Sequence, residues 1–365
     1  MSEARSAYPT VFYNGKNISA TIDKYLESFQ YTDPASGESD SLSITLGNWD
    51  NNWLSAWFPD KGATLTAQVN ARNWHKEGDA LHLDCGAFSL DDISFSGAPD
   101  TMNMGAVSAP ANDAFQTTER TKTWEDVTLR QIASDIATRY GLSLVYDAGA
   151  VKIASVEQSG ATDSAFLSTV CKDYGIALKV YSNKLVLFDR EAYKQKGPVA
   201  EINKADMLNY TFNTTLTGTY TGGELTFTTS KGKELKATIG SGPRILKANV
   251  SASTAEEAKL KLIAAIEEAN HGETTLSFST MGNPALVSGQ CITITGLGIA
   301  DGKYYLDKVT HTVGAAYTTA FECSRVRSTA LGNFTTTGAS SGKSSQNKLD
   351  TLAWATRTQA AISNE

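Results

Sequence analysis

Residues 123–188 read TWEDVTLRQIASDIATRYGLSLVYDAGAVKIASVEQSGATDSAFLSTVCKDYGIALKVYSNKLVLF. Leu129, Ile132, Ala133, Ile136, Ala137 and Tyr140 recur at the i, i+3, i+4, i+7 spacing of one buried helix face. Thr128 with Gln131 makes a capping-box start, and Gly141 is a stop. A strand is expected at Leu142–Tyr146. A second helix follows, with Phe166, Leu167, Val170, Cys171 and Tyr174 on one side, a cap at Thr162 or Asp163, and an end at Gly175. Ala177–Tyr181 and Leu185–Phe188, joined by Ser182-Asn183, have the pattern of a closing hairpin. Two helix–strand units in tandem therefore make a compact α/β block.

The chain on either side alternates with strand period. Before the block, Val11/Tyr13, Phe29/Tyr31, Leu42/Ile44/Leu46, Leu65/Ala67/Val69, Leu81/Leu83, Phe88/Leu90 and Ile93/Phe95 are punctuated by Asn14-Gly15, Asp33-Pro34, Gly47-Asn48, Gly62, Gly78-Asp79 and Gly97. Short strands at that spacing indicate a small β-barrel or sandwich. After the block, strands are expected at Tyr210–Asn213, Leu225–Thr229, Leu235–Ile239, Ile245–Val250, Thr275–Ser279, Cys291–Thr295, Lys303–Val309 and Tyr317–Cys323. One helix interrupts them, capped by Ser253 with Glu256 at its third position and ended by Gly272. The class is α+β and β-dominated. The boundaries read as a first barrel at 1–107, a linker at 108–122, an α/β insert at 123–195, a second barrel at 196–334, and a flexible linker with a C-terminal helix (Leu349–Ile362) at 335–365. The two barrel regions show no repeat that aligns residue by residue.

The chain has 365 residues and a net charge of −7, with dispersed acids and no lysine or arginine block, which argues against a basic nucleic-acid groove. No 18-residue apolar run is present, and Met1–Pro9 lacks the apolar core of a signal peptide, so synthesis in a cytosol is expected. Cys85, Cys171, Cys291 and Cys323 are expected to be buried free thiols.

No catalytic set converges. His75, His82, His271 and His311 have no metal-ligand spacing, and neither metal nor cofactor is expected. His75 and His271 read as surface residues, His82 and His311 as hydrogen-bonded strand histidines. Asp91-Asp92, Glu256-Glu257 and Glu267-Glu268 are adjacent carboxylates that read as solvated faces, because sequence neighbours point apart rather than across a cleft. Gly296–Gly302 lacks a phosphate-loop spacing and reads as a β-connection. Trp49, Trp53 and Trp57 fall at i, i+4, i+8, the spacing of a short helix that plugs a barrel end. A structural or assembly role is favoured over an enzyme.

Particular residues carry a resemblance. Gln158-Ser159 through Asp163, Ala165-Phe166-Leu167, Tyr174-Gly175, Val180-Tyr181 and Leu185-Val186-Leu187 resemble the late-control D family of phage tail proteins. Tyr31-Thr32-Asp33, Ser39-Asp40-Ser41-Leu42, Asp84-Cys85-Gly86-Ala87-Phe88, Ser96-Gly97-Ala98-Pro99-Asp100 and Thr123–Leu129 fit in the same order. So do Gly289, Gly302-Lys303-Tyr304-Tyr305, Val309-Thr310-His311 and Tyr317-Thr318-Thr319. The resemblance implies a structural baseplate hub of a contractile tail, or of a phage-derived injection particle. Its two tube-like barrels per chain would build a homotrimeric, pseudo-sixfold ring in the virion, assembled in the host cytoplasm. Implied partners are the tail tube protein, the central spike, baseplate wedge and other hub proteins and the tape-measure C-terminus, with DNA as passing cargo. The resemblance names no catalytic residues. A LysM-like wall-binding module, suggested by Thr128–Tyr146, and a wall-degrading tail-tip enzyme are the alternatives.

Overall fold

The computed structural model describes residues 4–108, 114–229, 231–327 and 331–338. A first β unit contains β1 (Ser6–Tyr13), β2 (Lys16–Asn17), the short helix α1 (Ser19–Ile22), β3 (Leu26–Pro34), β4 (Ser41–Gly47), β5 (Thr64–Arg72), β6 (Ala80–Ser96) and β7 (Thr101–Val107). They pair antiparallel in the order β2-β1-β5-β6-β7-β4-β3. Alternate residues, among them Val11, Phe29, Ile44, Leu65 and Met104, point into one core.

The α/β insert follows: α2 (Ala114–Thr117), β8 (Glu119–Thr128), α3 (Leu129–Arg139), β9 (Ser143–Asp147), β10 (Lys152–Thr162), α4 (Asp163–Asp173), β11 (Ile176–Tyr181), β12 (Lys184–Asp189) and α5 (Arg190–Gln195). Thr128 and Gln131 form the capping box of α3, and Thr162 caps α4. Ser182 and Asn183 both have positive φ, as a tight hairpin turn requires. β8 and β10 pair with each other, apart from the β11-β12-β9 sheet. Neither was anticipated, and the expected linker 108–122 already contains the start of β8. Most of their residues face solvent, so little apolar alternation marks them; Trp124 and Ile153 are the inward anchors.

The remaining elements are β13 (Ala200–Asn203), β14 (Met207–Thr214), β15 (Gly222–Thr228), β16 (Glu234–Gly240), β17 (Ile245–Lys247), α6 (Ala255–Asn270), β18 (Thr274–Met281), β19 (Cys291–Thr295), β20 (Gly302–Val313), β21 (Tyr317–Arg325) and β22 (Phe334–Gly338). They fall in two sheets. β17-β15-β16-β22 is a separate sheet with α6 against it and its own core of Leu225, Phe227, Ile239, Leu262 and Ile266. Thr335–Gly338, expected in a linker, belongs to that sheet: three consecutive β-branched threonines favour a strand. The expected terminal helix lies outside the described residues. The cap of α6 is Thr254 rather than Ser253, and Glu257, not Glu256, holds its third position.

The second β unit is β13, β14 and β18–β21. Its order, β14-β18-β21-β20-β19-β13, matches that of the first unit, β3-β4-β7-β6-β5-β1, strand for strand and in chain sequence. The register matches as well. Phe29, Ile44, Met104 and Ile93 form one cross-strand row; Tyr210, Phe278, Phe321 and Val309 form its counterpart. Bulges fall at the same places, Leu26/Ser28 and Met207/Asn209 at the start of the outer strand, and Leu90/Asp92 and Leu306/Lys308 in the long one. The units also differ. β13 runs parallel to β19 where β1 is antiparallel to β5, and the α6 excursion interrupts only the second unit.

Gly141 and Gly175 end α3 and α4 at positive φ, but only at Gly175 would a Cβ meet a neighbour, Ala264 Cβ at 3.3 Å. Each glycine-to-alanine change should cost about 1 kcal/mol or more from the left-handed backbone. Gly175→Ala should be the more damaging of the two, read as the larger drop in urea midpoint.

Candidate assembly interface

The two β units are joined by one strand pair. Phe29–Pro34 of β3 runs antiparallel to Val313–Lys308 of β20. The first residues of β20 pair on that side with β19, and past the Leu306/Lys308 bulge the strand pairs with β3 instead. One strand thus serves both units. Val313 and Tyr317 enter the core of the first unit, and the Trp74 indole N–H donates to the Gly282 carbonyl across the joint.

The insert is fastened where the units meet. Lys179 on β11 ion-pairs with Asp33 of β3 and, at 2.8 Å, with Asp40. Tyr31 donates to the other Asp40 oxygen at 2.7 Å; Ser288, from the second unit, donates to Asp33 through its amide (2.8 Å) and hydroxyl (2.7 Å). A cleft of about 320 Å³ lined by Tyr31, Lys179, Tyr181 and Ser288 opens beside the cluster. Burial pushes the Asp40 carboxyl up to about 6, with Asp33 adding to the effect and the Lys179 ammonium opposing it. Burial works to lower the Lys179 pKa, but the two carboxylates outweigh it and hold the ammonium above the ordinary lysine range. A lysine held charged is a clamp, not a nucleophile or base. A second buried carboxylate, Asp163, accepts from Gln158 (2.9 Å), Tyr140 (2.7 Å) and Arg139, which hold its pKa down against burial. The Gln158/Asp163 motif is therefore an anchor within the insert.

His311 is fully buried next to this joint. Its Nε2–H donates to the Leu286 carbonyl at 3.1 Å, so Nδ1 accepts from the Tyr317 hydroxyl at 2.9 Å. Burial pulls its pKa down to about 4. His82, read as a hydrogen-bonded strand histidine, is exposed on β6; His75 is exposed, and His271 pairs with Asp307. Asp91 and Asp92 are exposed. Glu257 is not on a solvated face: it is buried, accepting from Tyr174 at 2.7 Å and pairing with Lys261 at 3.0 Å. All four cysteines are buried free thiols. Gly296–Gly302 connects β19 to β20 as a turn with one 3-10 segment. Among the described residues no cluster of His, Cys, Asp and Glu is placed to hold a metal, and no helix is long and apolar enough to cross a membrane.

The tryptophans do not form a helix stripe. Residues 53–57 are turns, because Asn48 and Asp50 side chains take up local amides that a helix would need. Trp53 is buried, while Trp49 and Trp57 are 64% and 39% exposed; all three surround the Tyr25 ring. Sequence reasoning also missed Lys179, whose partners lie more than a hundred residues away, with no local pattern to flag them.

Paired β units joined edge to edge, with a clamped α/β insert, define a phage tail-protein fold. The 43 kDa tail protein of prophage MuSo2 from Shewanella oneidensis shares it over 88% of this chain and 98% of that one (TM-score 0.66, 13% identity). A tail protein from Neisseria meningitidis MC58 does so over 88% and 97% (TM-score 0.65, 12% identity). In sequence the chain is similar to the probable baseplate hub protein of Escherichia phage P2, 30% identical over 215 residues, which are 57% of this chain and 53% of that protein. The chain spans about half the length of the curated relatives it matches. No model of a known protein family matches. The resemblance to baseplate hub proteins thus rests on sequence, and the fold is one shared with phage tail proteins.

Lys179→Met should cost about 3–5 kcal/mol by leaving buried carboxylates without their cation. Adding Asp40→Asn to it should recover part of the loss in chemical denaturation. Because the His311 pKa is depressed on folding, its contribution is present above pH 6.5 and is lost as pH falls toward 4. The stability deficit of His311→Gln relative to wild type should therefore shrink by about 2 kcal/mol between pH 7 and pH 5, measured by urea midpoints.

Proposed function

We propose that this chain is a structural baseplate hub of a contractile tail. Stretches 1–107 and 196–334 serve as two tube-like domains, with 123–195 as the insert between them. Three copies form a ring of six similar units that adapts a hexameric tail tube to a trimeric spike. The observation that carries this reading is the second β unit's repetition of the first in strand order, register and bulge position. A net charge of −7 suits a channel through which DNA passes without sticking. The role is scaffolding: Lys179 and Asp163 are committed to internal ion pairs.

Light scattering of the purified protein, alone and with its spike partner, should give a species of three times the chain mass. A strict monomer under both conditions overturns the reading.

A further inference from the structure

The seam between the insert and α6 is only partly closed. Tyr174 donates to Glu257 at 2.7 Å and Arg190 to Glu268 at 2.8 Å, and Gly175 abuts Ala264. Towards the start of α6 the seam opens into a cleft of about 450 Å³. Its apolar lining is Val127, Ala150 and Ala154 from the insert and Leu260 from α6, the last 43% exposed. Asp126 and Glu256 line it too; both are exposed, and neither forms an ion pair among the described residues. Glu257 is matched by Lys261, so only Lys152 offsets these two acids. An uncovered leucine over an apolar floor, with acid in excess, fits an occupant that is apolar and basic.

The chain carries such an occupant, within reach. A Cβ on Gly223 would meet the Leu262 and Ile266 side chains at 2.8 Å, and the Asn270 side chain bonds the amide and the carbonyl of Tyr220. The second half of α6 therefore stands over the start of β15. The helix shares a core with Phe227 and Ala258, so its own start lies towards Thr228 and Glu234, where β15 and β16 meet at their other end. β22 leaves the sheet at that end, with Gly338 opposite Leu235. The last described residue is thus at the end of the sheet where the cleft lies. From there, residues 339–348 can span up to about 33 Å, more than the roughly 24 Å of the 16-residue α6. Beyond them, 349–362 brings Leu349, Leu352 and Trp354, and Lys348 with Arg357 outnumber the one acid, Asp350.

We propose that segment 349–362 turns back into this cleft of its own chain and straps the insert to α6. Its leucines and tryptophan cover Leu260 and the alanine floor, and its cations face Asp126 and Glu256. Three observations select this occupant: the end of the sheet at which the chain departs, the length of the connection, and the opposite charge of cleft and segment. The strap acts within one chain and is independent of the ring.

Hydrogen exchange of the full chain, read by mass spectrometry, tests it. After correction for intrinsic rates, the amides of 349–362 should exchange about tenfold more slowly than those of 339–348. Leu260→Glu and Glu256→Lys, both at exposed positions, should each abolish that protection, while the amides of β15 and β16 keep theirs as a check that the sheet is folded. Exchange of 349–362 at unprotected rates in the wild-type chain overturns the proposal. Protection that survives both substitutions places the segment elsewhere and overturns it too. Protection that rises with protein concentration means that the segment seats on a second copy, and overturns the strap within one chain.

Discussion

Everything in this molecule is arranged about the antiparallel contact of β3 with β20 and the charge cluster beside it. Strand edges cannot be left dry and unpaired, so each unit must either shield its outer strand or share it. Here the first unit shares. Its outer strand becomes the continuation of the second unit's sheet, and the bulge at Leu306/Lys308 lets one strand leave β19 and take up β3. The side chains that this brings together, Phe29, Val313 and Tyr317, fill a common core.

The Lys179 cluster adds direction to a contact that is otherwise generic. Backbone pairing alone would tolerate a slip in register, but Asp33 is held by Lys179 from the insert and by Ser288 from the second unit. Moving β3 by one residue would turn Asp33 to the opposite face and strand the lysine. A buried ion pair is a weak source of net stability and a strong selector of one arrangement. That is consistent with its position, at the only place where all three parts of the chain touch one carboxylate among the described residues.

The insert's helices were legible in the sequence because their signals are local: a 3.6-residue period, Thr128 and Thr162 as caps, Gly141 and Gly175 as stops. Most strands were legible from alternation. The duplication was not. Phe29 matches Tyr210, Ile44 matches Phe278 and Met104 matches Phe321, so the likeness lies in hydrogen-bond register and bulges rather than in residue identity. β8 and β10 were missed because they are mostly solvated. The tryptophan turn was misread because spacing was weighed above the Asn/Asp groups that compete for the backbone. The clamp was invisible for a different reason, since its members come from three distant segments.

The excursion that carries α6 interrupts one of two matching units and leaves the other bare. In any closed arrangement of this chain, decorated and undecorated units therefore alternate around the circumference. A neighbour that grips the strands meets twice as many equivalent docking positions as one that grips the helix. In the proposed ring, stoichiometry along the axis would be decided by which layer of the same polypeptide a partner touches, and a change of rotational order would need no additional adaptor molecule.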